Sequence, residues 1–209
     1  MLQEKTRSIR GVVRSKVDVK SWLAKTPTVS EARPAQCPAC GSASRPVGEG
    51  LVLHGHGLRE RQLWGPPELP GKPTIHIVRV RRYECQRCRA VTVVAPAETL
   101  TKRLYTAAAI GWALALYGLS LLSPKAVRHL VSPLRHWGAR SAAGWQTLRR
   151  WAGAAAAGRL FACVGPMPEE WSARKVAARA ATTLAGHALP SPEPPALEVL
   201  SFHGAALAR

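Results

Sequence analysis

The chain has 209 residues, 46% of them hydrophobic, which is ordinary for a globular protein and too apolar for a disordered one. Thirty Lys and Arg stand against twelve Asp and Glu, giving a net charge of +18 and a pI near 11.0. That imbalance excludes the near-neutral surface of most soluble enzymes and points to a polyanionic partner.

Residues 1–33 are polar and basic, with Val12, Val13, Val17, Trp22 and Leu23 as the only apolar clusters. They read as a flexible basic arm with room for one short helix. No apolar core of signal-peptide type and no small-residue cleavage site occurs there, so a cytoplasmic location is expected. From 34 to 98 Pro and Gly punctuate short β-prone runs. Leu51–His54 and Gln62–Trp64 read as short strands around His54-Gly55-His56-Gly57, Pro66–Pro73 as a turn-rich loop, and Thr74–Cys85 as a longer alternating strand.

Beyond 98 the chain becomes Ala-rich with a helical period. Thr99 or Thr101 is the expected cap of a helix running to about Tyr117, with Gly118 near its end. Ser123-Pro124 is a strong start signal, an N-cap followed by proline where its missing N–H costs nothing. The next helix carries Lys125, Val127, Arg128 and Leu130. Ser132-Pro133 interrupts it and restarts a turn toward Trp137, with Gly138 as a stop. Ser141 opens a third helix with Trp145, Leu148, Trp151 and Ala155 on one face and Gln146, Arg149 and Arg150 on the other. A fourth covers Pro168 to His187, with Trp171, Val176, Ala180 and Leu184 inward and Arg174, Lys175 and Arg179 outward. Pro190–Pro195 is a proline-rich linker, and Leu197–Arg209 forms a short terminal helix or frays.

Four of the five cysteines form two Cys-x-x-Cys pairs, Cys37-Pro-Ala-Cys40-Gly41 and Cys85-Gln-Arg-Cys88. Each tight turn can bring two thiolates to about 2.3 Å from one tetrahedral zinc ion. Residues 41–84 lie between the pairs, so a hairpin must be inserted for them to share the ion. Four thiolates leave no open position, which makes the expected zinc structural and leaves His54 and His56 unneeded as ligands. A single pair acting in redox chemistry would need a strand-turn-helix setting that neither pair has. Cys163, beside Phe161 and Val164, reads as a small buried hydrophobe.

Around the second pair, Arg79, Arg81, Arg82, Arg87 and Arg89 form a cationic rim suited to phosphate. The bland alternative is an edge strand kept soluble by its charge. No Asp or Glu occurs between Glu98 and Glu169, a stretch that includes Lys102, Arg103, Lys125, Arg128, Arg149, Arg150 and Arg159. Coding drift toward Arg and Ala would enrich both residues but would not remove every carboxylate. Within this stretch Gln146, Arg149 and Arg150 lie opposite apolar anchors, the pattern of a helix that reads adenine or guanine or holds phosphate.

Cys-Pro-x-Cys-Gly, then His-Gly-His-Gly-Leu-Arg-Glu-Arg-Gln (54–62), then Val-Arg-Arg-Tyr-Glu-Cys-Gln-Arg-Cys (80–88) resembles the amino-terminal zinc-binding region of insertion-sequence transposases. Thr-Leu-Arg-Arg-Trp (147–151) resembles the recognition helix of their helix-turn-helix. From 37 to about 187 the order of features resembles small stand-alone bacterial proteins derived from such transposases. The resemblance implies zinc-dependent binding of double-stranded DNA, with a transposase or other mobile-element protein as a further partner. Such transposases cut DNA with three carboxylates holding two metal ions, whereas this chain has Asp18 as its one aspartate and scattered glutamates. No catalytic residue, small-molecule substrate or enzymatic role is therefore expected.

The expected fold class is α+β, a small β-rich zinc ribbon followed by an all-α, helix-turn-helix-like region. Its parts are an arm at 1–33, the ribbon at 34–98, the DNA-binding region at 99–165, and a C-terminal helix and tail at 166–209. Two rival readings follow from the residues. Leu104–Leu122 carries no formal charge and is long enough to span a membrane, although its many Ala and Gly favour a buried helix. A zinc-ribbon adaptor binding RNA or another protein is the other.

Overall fold

The computed structural model describes residues 12–134 and 144–208, which form a four-stranded sheet and six α-helices, a mixed α/β architecture. These residues group into two compact units. One holds the described residues through Gln62 together with Ile77–Thr101, and the other holds Leu63–His76 together with the described residues from Lys102 onward.

The first unit carries β1 (Val12–Arg14), α1 (Val19–Ala24), most of β2 (Leu53–Gly65) and β3 (Thr74–Cys85), and β4 (Val91–Ala95). The sheet order is β1-β4-β3-β2. β3 pairs antiparallel with β4, Arg81 opposite Val94 and Glu84 opposite Val91, and β1 adds in parallel with Val12 opposite Val93. The segment from 12 to 33 is thus built into the fold, against the expectation of a flexible arm. Asp18 caps α1 by accepting the Ser21 N–H at 2.8 Å, and Trp22 is buried with its indole N–H on the Arg79 carbonyl at 3.1 Å. A strand of three residues and a helix of six are too short to leave a periodic signature, so their apolar residues look isolated in sequence.

β2 runs unbroken through His54-Gly55-His56-Gly57, where two separate short strands were expected. Gly55 is needed there, since a Cβ would sit 2.8 Å from a methyl of Val29. Thr74–Cys85 forms the expected long strand, and Val91–Ala95, unassigned from sequence, lies between β1 and β3 with Val94 and Ala95 buried.

The second unit is built on α2 (Ala107–Gly118), against which α3 (Pro124–Val131), α4 (Gln146–Ala156), α5 (Ala173–Ala185) and α6 (Leu197–Leu207) all pack. Ten of the twelve residues of α2 are buried, which accounts for the charge-free run around it as a core helix. Among the described residues no helix is long and apolar enough to cross a membrane. α2 starts at the cap Thr106, later than Thr99 or Thr101, because Leu104 and Tyr105 are held extended against Trp64, whose N–H donates to the Leu104 carbonyl at 2.9 Å. Ser123 and Pro124 start α3 as expected, and Ser132 ends it. The turn toward Trp137, the stop at Gly138 and the start at Ser141 lie outside the described residues.

α5 begins at Ala173 behind the cap Ser172, five residues after the expected start at Pro168. Arg174, expected to point outward, instead lies over the Tyr117 ring at 4.3 Å and donates to the carbonyls of Tyr117 (2.7 Å) and Leu122 (3.4 Å), satisfying the end of α2. The C-terminal segment is a packed helix, with Phe202 buried and the Ser201 hydroxyl on the Gly111 carbonyl at 3.1 Å. Gly118 allows α2 and α5 to touch, since a Cβ there would lie 2.2 Å from the Ala178 nitrogen.

Candidate metal centre and cationic surfaces

The two cysteine pairs fold into equivalent turns. In the first, the Cys37 N–H donates to the Ser42 carbonyl (2.8 Å) and the Gly41 N–H returns to the Cys37 carbonyl (2.9 Å). In the second, the Cys85 N–H donates to the Ala90 carbonyl (3.0 Å) and the Arg89 N–H returns to the Cys85 carbonyl (2.8 Å). Both turns need a left-handed residue after the second cysteine, Gly41 at φ 72° and Arg89 at φ 60°. The Gln86 N–H on the Val52 carbonyl at 2.9 Å joins the end of β3 to the start of β2, so that Cys37, Val52, Leu53 and Cys85 pack in one buried cluster.

The four sulfurs lie within 4.8 Å of one another. Cys37 to Cys88 is 3.7 Å and Cys40 to Cys85 is 3.8 Å. Tetrahedral zinc with bonds of about 2.3 Å requires sulfurs roughly 3.8 Å apart, so the donor set fits a single structural zinc ion held by Cys37, Cys40, Cys85 and Cys88. Hydrogen bonds from the side chain and backbone of Ser42 bring the Cys40 thiol down to about 6, while desolvation and the neighbouring sulfurs push Cys88 up to about 12. A dication would be needed to hold Cys88 as a thiolate at neutral pH, and loading it would release protons. Outside this set, His54 Nε2 meets the Leu51 carbonyl at 2.7 Å and His56 faces Glu84 at 3.5 Å.

The arginine rim is less open than its sequence suggests. Arg87 pairs with Glu49, Arg89 pairs with Glu84 at 2.8 Å, and Arg81 Nε donates to the Pro27 carbonyl at 2.7 Å. Arg79 is exposed and Arg82 half-buried. Glu49 and Glu84 were missed as partners. Glu84 stands next to Cys85 in the chain, but Glu49 is brought to Arg87 only by the fold. The Arg87–Glu49 pair is exposed at both ends and therefore weak, whereas Glu84 in the other pair is half-buried.

In the second unit α4 buries Leu148, Trp151, Ala152 and Ala155, and exposes Gln146, Arg149 and Arg150. Trp151 and Trp145 stack edge-on at 5.0 Å, and Tyr105 meets both, at 4.9 Å and 5.8 Å. The rings fix the helix, and the polar face is left to solvent. Among the described residues α3 ends at Val131 and α4 begins at Gln146, and the residues that would form a helix-turn-helix turn between them lie largely outside those described. Cys163 is half-buried, and desolvation raises its thiol pKa, in keeping with a packing role.

Compared with protein-family models, with characterised proteins and with solved structures, the chain matches none.

Proposed function

We propose that this chain is a zinc-stabilised DNA-binding protein, transposase-derived or associated with transposition, that works in the cytoplasm without a catalytic centre of its own. The observation that carries the DNA-binding reading is α4. Gln146, Arg149 and Arg150 stand exposed on a helix anchored by Leu148 and Trp151, within a stretch that has no carboxylate. Such a face suits a major groove, where Arg pairs with guanine and Gln with adenine. Zinc at Cys37, Cys40, Cys85 and Cys88 would join the roots of the β2–β3 hairpin and keep β3, with Arg79, Arg81 and Arg82, in place as a phosphate-contacting strand. The expected helix-turn-helix and the link to a mobile-element protein belong to this same reading.

Metal analysis and a salt-titrated binding assay test it together. One zinc per chain is expected, with an affinity for duplex DNA that falls steeply and linearly with the logarithm of salt concentration. Arg149→Ala with Arg150→Ala is expected to weaken binding to a selected site more than binding to random duplex; equal losses would remove the recognition role of α4. Stronger binding to structured RNA than to duplex DNA at the same salt would favour the adaptor reading.

A further inference from the structure

The four sulfurs of the cysteine cluster differ in exposure, and they are matched across the two turns. Cys40 is exposed, Cys88 is half-buried, and Cys37 and Cys85 are buried. Cys37 and Cys88 approach to 3.7 Å, and Cys40 and Cys85 to 3.8 Å. Each approach joins an inner sulfur of one turn to an outer sulfur of the other. A disulfide holds its sulfurs about 2.05 Å apart, so each pair has to close by roughly 1.7 Å.

A thiolate on zinc remains a nucleophile, and access decides which one meets a peroxide first. Cys40 is that sulfur. It stands outside the apolar cluster of Cys37, Val52, Leu53 and Cys85, against which Cys88 also packs, and its Sγ meets the Ser42 hydroxyl at 3.2 Å. Attack on a peroxide oxygen breaks the O–O bond, leaving a sulfenic acid on Cys40 and releasing hydroxide. The Cys85 thiolate, 3.8 Å away, displaces a second hydroxide from that sulfenic acid and forms a Cys40–Cys85 disulfide. The two thiolates that remain are too few for a closed tetrahedral site, so the ion leaves. A second peroxide oxidises Cys37 and Cys88 in the same way. Over the whole cluster, four thiolates lose four electrons to two peroxide molecules, which become four hydroxides.

We propose that the cluster is a peroxide-responsive switch in which the disulfides Cys40–Cys85 and Cys37–Cys88 replace the zinc ion and keep the first unit folded. The inference rests on the zinc reading and deepens it, since the same four residues hold the unit in a reduced, metal-bound form and in an oxidised, metal-free one. Residues 41–84 lie between the two turns. Bonds across the turns tie the roots of the β2–β3 hairpin as the ion does, and a link that closes so long a loop removes much of the unfolded chain's freedom. Bonds within each Cys-x-x-Cys would leave the roots free to part.

The test adds hydrogen peroxide stepwise to the zinc-loaded full chain carrying Cys163→Ser, so that the fifth thiol cannot exchange. Zinc content is measured before any oxidant is added, and released zinc, intact mass and disulfide pairing are followed afterwards. All the zinc is expected to be lost as about two peroxides are consumed per chain, with a mass about 4 Da below that of the reduced, metal-free chain. Trypsin cuts after Arg87, between Cys85 and Cys88, so bonds across the turns appear as three linked peptides, and fragmentation assigns the partners. Hydrogen exchange on the oxidised chain is expected to show amide protection retained along residues 34–62 and 77–98. Wild type run in parallel keeps the test decisive should Cys163→Ser fold poorly. Zinc retained through excess peroxide, any other pairing, or loss of protection on oxidation overturns the switch and leaves the zinc reading standing. A chain that takes up no zinc before oxidation overturns both.

Discussion

Gly41 and Arg89 occupy the same place in the two cysteine turns: each follows the second cysteine, adopts positive φ, and returns its N–H to the carbonyl of the first. Only one of the two is the residue this geometry favours. Arg89→Gly is expected to remove about 1 kcal/mol of left-handed strain, offset in part by loss of the pair with half-buried Glu84 and by the greater freedom of glycine when unfolded. Gly41→Ala is expected to cost about 1–2 kcal/mol although the space around it is open, because the cost is conformational. Urea midpoints of the zinc-loaded proteins measure both. A clear loss of stability in Arg89→Gly would show that the side chain matters more than the turn.

Metal removal is expected to undo the first unit. Chelation, or Cys85→Ser, is expected to expose the cluster of Cys37, Val52, Leu53 and Cys85 and to abolish amide protection along residues 34–62 and 77–98 of that unit. Hydrogen exchange with and without chelator reads this directly. Protection that survives complete metal removal would mean the site adds little to folding.

Among the described residues Glu98 is the buried carboxyl of the first unit, accepting the Val19 N–H at 2.9 Å. Burial, with a smaller push from Asp18, raises it to about 7. The folded state therefore holds this proton more tightly than the unfolded state does. Stability is expected to fall as pH rises from about 4.5 to about 7, and then to level off, a difference on the order of 3 kcal/mol. Glu98→Gln keeps an acceptor for Val19 and should lose that pH dependence. Because metal uptake by thiols is itself pH-dependent, the informative quantity is the difference between variant and wild type at each pH. A constant difference across pH 5 to 8 would rule the effect out.

Arg174 joins α5 to the end of α2 through a stacked ring and two carbonyls. Arg174→Met keeps much of the bulk and removes the donors, at an expected cost of about 1–3 kcal/mol. Arg174→Lys should recover little, since one ammonium cannot reproduce a planar fork that bridges two carbonyls. Thermal unfolding of the three proteins checks it; full rescue by lysine would reduce the contact to its charge.

The parts of this structure that were legible in the sequence are those that local chemistry determines. Two Cys-x-x-Cys turns, the alternation of Thr74–Cys85, the Ser123-Pro124 start and the apolar face of α4 all lie within short windows. What was not legible depends on partners distant in the chain. Val12–Arg14 and α1 have too few residues to show a period, and they are stable because Trp22 and Glu98 meet surfaces more than fifty residues away. Arg174 and Arg87 looked like solvent-facing charges because nothing in sequence announces the Tyr117 carbonyl or Glu49 as neighbours.

The placement of Cys85 as the last residue of β3 bears on how the hairpin finds its alignment. Side chains alternate across a strand, so a slip of one residue against β2 would turn the Cys85 sulfur to the opposite face. Misaligned hairpins would then offer the metal an incomplete set of donors, and only the native alignment would close a four-sulfur cage. An ion held there would act as a proofreader of strand pairing, rewarding the one arrangement in which the two cysteine pairs meet.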